Sequence, residues 1–181
     1  LPPHALIAGC GDIGQRVARR LREMGREVTA IVRDRQKAVP LETIGVRVLL
    51  ADLDQPQDVG DQPLVFWFAP PPGSGEADTR LRGWLAAQRG RIERFVYIST
   101  SAVYGDCEGR WIDEDAPLQP QSPRGRRRAD AEAALHEWQA RSGATPIILR
   151  VPGIDGPGRL PIERLQRDVR APAREPRHHR P

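Results

Sequence analysis

Ala5-Leu6-Ile7-Ala8-Gly9-Cys10-Gly11-Asp12-Ile13-Gly14 runs from an apolar segment through a glycine-spaced turn into an amphipathic stretch. Residues 5–9 have the unbroken apolar character of a buried strand. Residues 13–25 follow, with Val17, Leu21 and Met24 on one face of a helix, arginines on the other and Gly25 as a stop. Between them Gly9, Gly11 and Gly14 form G-x-G-x-x-G. The spacing alone says little; a strand before it and a helix after it give it meaning. In that setting Gly9 permits the tight turn, Gly11 admits a pyrophosphate against the backbone, and Gly14 lets the helix pack closely on the strand. Asp12 and Ile13 begin the helix, whose unpaired N–H groups face the same dianion. A plain strand–helix turn is the alternative reading.

The same alternation continues along the chain. Residues 27–32, 46–51, 64–69, 94–99 and 145–151 read as further strands. Residues 35–44 read as a weak helix interrupted by Pro40. A third helix spans 76–89 with Leu81, Trp84 and Leu85, and a fourth about 126–141 with Ala131, Leu135 and Trp138 spaced for burial. Residues 52–63 are poor in helix signal, so that crossover is expected to be a turn or two. Apolar strands joined by helices make an α/β protein with a doubly wound parallel sheet, a Rossmann-type NAD(P)-binding fold over residues 1–160. After Ile162 the periodicity is lost, and 161–181 is expected to be a basic, disordered tail.

Charge follows the same division. From Arg159 onward seven arginines face three acidic residues; removing these from 28 basic and 24 acidic residues leaves 21 of each. The net charge of +4 therefore belongs to the tail. A neutral body argues against a dedicated nucleic-acid partner. No apolar run approaches the ~18 residues of a membrane span, and the first residues lack the charged and apolar regions of a secretory signal. Cys10 and Cys107 have no metal-ligand or disulfide spacing. A cytoplasmic protein is the default expectation.

Choice of cofactor turns on the end of the second strand, Ile31-Val32-Arg33-Asp34-Arg35. An acidic residue there bonds the NAD ribose, whereas an arginine pairs with the NADP 2′-phosphate. Arg33 takes the first position, which favours NADP; Asp34 keeps NAD open. Asp52, after the third strand, is placed for the adenine amino group. Ala69 and Pro70 end the fourth strand beside the crevice.

Ser-Thr-Ser-Ala-Val-Tyr-Gly at 99–105, then Glu114, Pro117 and Ser122-Pro123, then Arg150 to Gly158 stand in the order of another pattern. Together with the glycine turn, they resemble the extended short-chain dehydrogenase/reductases, the NAD-dependent epimerase/dehydratase group, over about residues 5–160. The resemblance implies a Ser or Thr after strand five and a Tyr-x-x-x-Lys pair for proton transfer. Thr100 matches the first, and Pro152 falls in the turn expected to border the cofactor. The tyrosine position holds Arg124 and the lysine position Arg128. Tyr97 and Tyr104 are followed four residues later by Ser101 and Glu108, so this sequence contains no such pair. Arginine is a poor general acid or base near neutrality, which marks an atypical member. Tyr104, in the loop after strand five, is the candidate to substitute, working with Thr100; packing the loop is its other role.

The arginines at 124 and 126–128 read as a solvated helix face, with an anion such as a nucleotide-sugar diphosphate as the other possibility. Proteins of the resembled group continue into a smaller substrate lid, which the residues after about 160 do not build. An incomplete sheet edge favours a homo-oligomer. Three functions stay open: an NAD(P)-dependent oxidoreductase or epimerase/dehydratase-like enzyme acting on a sugar or small carbonyl substrate, a non-catalytic NAD(P)-binding module or redox sensor, and an inactive fragment.

Overall fold

The computed structural model describes residues 2–154. The expected tail, the boundary at 160 and residues 155–158 of the Arg150–Gly158 turn lie outside the described residues. The elements run β1 (His4–Ala8), α1 (Asp12–Glu23), β2 (Glu27–Val32), α2 (Arg35–Thr43), β3 (Arg47–Leu50), β4 (Gln62–Trp67), α3 (Thr79–Ala87), β5 (Ile92–Thr100), α4 (Pro123–Ser142) and β6 (Thr145–Val151), with a 3₁₀ turn at Ser101–Val103. All strand pairs are parallel, in the order β3-β2-β1-β4-β5-β6. Leu6 of β1 sits between Thr29 and Val65. From β1 the chain winds first toward β3 and then, through β4, toward β6. The crevice at the β1/β4 reversal is where such sheets bind ligands.

Each face of the sheet has its own core. On one, Trp67, Trp84, Phe95 and Trp138 pack in sequence under α3 and α4, with centroid separations of 5.2, 6.0 and 5.7 Å. On the other, Ile7, Ala18, Val28 and Leu41 pack under α1 and α2. Burial of both faces is why β1 and β2 read as continuous apolar runs.

Side chains at the ends explain where the helices start. Asp34 accepts from Gln36 N, Asp78 from Leu81 N and Ser122 from Gly125 N. The Ser122 cap and Pro123 in the first turn start α4 earlier than residue 126, a signal masked by the arginine run behind it. Gly143, in the left-handed conformation with φ of 70°, stops it. Pro40 does not end α2, because buried Ala38 and Leu41 hold the turn around it against the sheet. Met24 is 46% exposed, which corrects its expected place on the buried face. It lies beyond the last turn of α1, and the buried stripe is Gly14, Ala18 and Leu21. No helix forms between β3 and β4. Among the described residues, no helix is long and apolar enough to cross a membrane.

Candidate functional site

A cavity of about 840 Å³ opens at the C-terminal ends of β1 to β4. Gly9, Gly11, Arg33, Asp52, Ala69 and Pro70, separated by up to sixty residues in sequence, all line it. The three glycines do different work. Gly9 has φ of +86°, and a Cβ there would stand 2.2 Å from the Ala69 nitrogen. β1 and the β4 loop can therefore approach only with glycine at this position. At Gly14 a Cβ would lie 3.0 Å from the Gly9 carbonyl and 3.4 Å from Ile7 Cγ2, so its absence lets α1 pack against β1. A Cβ on Gly11 would meet nothing within 4 Å. The space in front of Gly11 belongs to the cavity. Gly11 is also the N-cap of α1 and supplies no side-chain cap, so the first N–H groups of the helix have no capping oxygen from it. Asp12, which pairs with Arg16, Ile13 and Gly14 form the first turn behind this wall.

Charged groups ring the side of the cavity formed by the ends of β2 and β3. Asp34 is occupied as the α2 cap, and Arg35 pairs with Glu42 at 3.0 Å. Asp52 Oδ1 accepts from Asp54 N. Arg80 pairs with Asp54 at 2.7 Å, and this hydrogen-bonded guanidinium holds the Asp54 carboxyl below the usual carboxylate range. Arg33 and Lys37 also line the cavity, and no ion pair of either is found among the described residues. Sequence reasoning missed Lys37 and Arg80. Lys37 is carried to the rim by the first turn of α2, whereas nothing in the sequence pairs Arg80 with the β3 loop. Cys10 also touches the cavity, and burial pushes its thiol up to about 11, which keeps it protonated near neutrality.

Thr100 and Tyr104 do not line this cavity. Thr100 ends β5, and its hydroxyl accepts from Ala102 N. Pro152 follows β6 on the same edge of the sheet and is exposed. Tyr104 instead borders a second cavity, of about 510 Å³, beside β6 and α4. Its hydroxyl accepts from Arg150 Nη1 at 2.8 Å, and the Arg150 guanidinium lies 5.0 Å from its ring centroid. Arg150 in turn makes a two-pronged contact with Glu132, which also accepts from Ser99 Oγ. Glu132 is 1% exposed, and neither it nor Arg150's partnership with it was visible in the sequence.

The α4 arginines need a correction. Arg124 is exposed, but Arg127 and Arg128 are 8% and 7% exposed and do not form a solvated face. Arg127 Nη1 donates to the Gly75 carbonyl. Arg128 Nη1 donates to Tyr97 Oη at 3.0 Å and to the Ile98 carbonyl at 2.7 Å. The long side chains reach inward past the small residues of the helix and donate to a strand carbonyl and a loop carbonyl. Burial raises the Tyr97 hydroxyl far above its ordinary value, so it is a neutral core group.

A family model described as NAD(P)H-binding matches residues 9–175. This chain belongs to the NAD(P)H-binding family. It is similar to dTDP-D-glucose 4,6-dehydratase of Homo sapiens, 33% identical over 76 residues, 42% of this chain and 22% of that protein. It is likewise similar to UDP-glucose 4-epimerase of Azospirillum brasilense, 40% identical over 77 residues, 41% of this chain and 22% of that protein. Among solved structures, MoeE5 in complex with UDP-glucose and NAD superposes with a TM-score of 0.72 at 28% identity, covering 92% of this chain and 60% of that one. A short-chain dehydrogenase/reductase superfamily protein from Agrobacterium tumefaciens with bound NAD gives 0.65 at 25% identity, covering 81% and 48%. The family member described here thus spans under a quarter of these curated relatives and about half to three-fifths of these solved chains.

Proposed function

We propose that this chain binds NADP in the β1–β4 crevice and serves as the dinucleotide-binding part of an epimerase/dehydratase-like oxidoreductase acting on a nucleotide sugar. The observation that carries the binding reading is the contrast among the glycines: Gly9 is demanded by an internal contact and Gly14 sits in a tight one, whereas Gly11 faces open space at a helix N-terminus. A pyrophosphate fits that position and satisfies N–H groups there. Arg33 and Lys37, which make no ion pair among the described residues, suit the 2′-phosphate of NADP better than the bare ribose of NAD. Asp52 is assigned to the adenine, and Ala69 and Pro70 to the wall opposite it. The nucleotide-sugar class is supported by the relatives' names.

Bound in this way, the nicotinamide supplies hydride transfer. Thr100, at the C-terminal end of β5, would hydrogen-bond a substrate carbonyl, and Pro152 would border the nicotinamide end. Tyr104 is assigned the proton, with Arg150 against its hydroxyl. A second reading, a binding module without catalysis, is favoured by Arg128: it stands at the lysine position of the resembled pattern, yet its guanidinium is committed to Tyr97 and Ile98.

Titration of protein fluorescence with NADPH and NADH tests the first step. NADPH is expected to bind at least tenfold tighter than NADH, and Arg33→Ala with Lys37→Ala to remove that preference, since a charge-assisted contact contributes about 1.5–3 kcal/mol. Saturable binding of neither dinucleotide would sink the proposal. If NADPH binds, hydride exchange with UDP-glucose and dTDP-glucose separates enzyme from module. Activity that survives both Thr100→Ala and Tyr104→Phe would remove those assignments.

A further inference from the structure

The connection from β3 to β4, residues 51–61, has no helix of its own, although parallel strands usually cross over through one. α3 supplies the missing cover. Arg80 and Gly83 on α3, and Gln88 as its C-cap, meet the connection at successive points. Arg80 Nε and Nη2 donate to the two carboxylate oxygens of Asp54 at 2.7 and 2.8 Å. A Cβ on Gly83 would stand 3.6 Å from the ring of Pro56. The Gln88 side chain donates to the Gln57 carbonyl and accepts from Val59 N, both at 3.1 Å.

Arg80 makes one contact that Gln88 does not. Its Nη1 donates to the Pro70 carbonyl at 2.6 Å. One guanidinium, its side chain 16% exposed, therefore joins the loop after β3, which carries Asp52, to the loop after β4. Both loops and Arg80 itself line the crevice. The planar fork fixes direction as well as distance. Two loops already held at their working separation lose little freedom when a ligand enters between them.

We infer that Arg80 is a positioning residue for the dinucleotide, setting the spacing of the β3 and β4 loops around its adenosine half. The inference rests on reading the crevice as the NADP site. Because the guanidinium is committed to Asp54 and Pro70, Arg80 acts through the loops and does not itself grip a phosphate.

Wild type, Arg80→Ala, Arg80→Lys and Asp54→Asn are each titrated with NADPH, with 2′,5′-ADP for the adenosine half and with nicotinamide mononucleotide for the other half. Thermal melts confirm that each variant is folded. Arg80→Ala is expected to weaken NADPH and 2′,5′-ADP on the order of tenfold and to leave nicotinamide mononucleotide unchanged. Asp54→Asn should weaken the same two ligands, and Arg80→Lys should recover part of the loss. Equal affinities in wild type and Arg80→Ala overturn the inference, as does a parallel loss of all three ligands, the mark of general destabilisation. Tighter NADPH binding by Asp54→Asn also overturns it, because a freed Arg80 would then be a direct phosphate ligand. A wild type that binds no NADPH refutes the site reading and the inference together, whereas a wild type that binds and an Arg80→Ala that is indifferent refute the inference alone.

Discussion

Substituting Gly9 and Gly11 separately by alanine should divide the glycine turn into a folding part and a binding part. At Gly9 the new methyl meets the Ala69 nitrogen at 2.2 Å and the Ala69 Cα at 2.5 Å, both backbone atoms that no rotamer change can move. Holding alanine at φ of +86° costs about 1–2 kcal/mol, and overpacking costs about 1–3 kcal/mol more. A loss of about 2–5 kcal/mol would lower Tm by about 4–20 °C in a chain of this size. At Gly11 φ is −77° and no atom lies within 4 Å of the added carbon. Alanine at a helix N-cap is slightly worse than glycine, but it also restricts the unfolded chain. These effects offset to within about 1 kcal/mol. The methyl instead occupies the space in front of the α1 N-terminus and should weaken NADPH by about tenfold or more, roughly one displaced charge-assisted contact. Circular-dichroism melts read the first quantity and fluorescence titration the second. A Gly9→Ala protein that melts like wild type, or a Gly11→Ala protein that binds like wild type, would refute the division.

Two further outcomes follow from buried polar groups. Glu132→Gln should cost about 3 kcal/mol in urea denaturation, because it leaves the Arg150 guanidinium without its carboxylate partner beside a buried helix face; a change under about 1 kcal/mol would show that the pair contributes little. His4, bonded to Thr29 Oγ1 at 3.0 Å, is held below the ordinary histidine value chiefly by burial, with Glu27 opposing and Arg47 assisting. The unfolded chain therefore takes up this proton at higher pH than the folded one. Stability should fall as pH drops below about 6.5, and melts of His4→Gln between pH 7.5 and 5.5 should show a shallower fall; equal slopes would remove the assignment.

The fold was legible because its signals are local. An apolar run, a glycine turn and a helix face each report on a few neighbouring residues, and alternation of such units leaves few topologies. The glycine turn was legible for the same reason: Gly9 answers to its own positive φ, Gly14 to the close approach of the nearby Gly9 carbonyl, and Gly11 stands between them at the start of the helix. Where the reading failed, the deciding contact was distant. Met24 follows the helical period but lies past the point where α1 leaves the sheet. Arg127 and Arg128 look like a solvated run because their partners, Gly75, Tyr97 and Ile98, are some thirty to fifty residues away. Arg80 and Asp54, from different connections, meet only once the sheet has formed. Tyr104 is likewise set by a distant partner, since its hydroxyl accepts from Arg150 on β6, a pairing that no local pattern announces.

Lys37 on the rim of the crevice has a consequence for chemistry done on the protein from outside. It is the one lysine of the sequence, every other basic side chain that carries a full charge being arginine. Reagents that acylate side-chain amines therefore have a single lysine target within the chain, and it lies where the dinucleotide is proposed to bind. A fluorophore or crosslinker attached there would report from the crevice itself, and the same dinucleotide should shield the amine from labelling. An endoproteinase specific for lysine would likewise cut the chain once, inside α2, so its rate measures how often that rim opens.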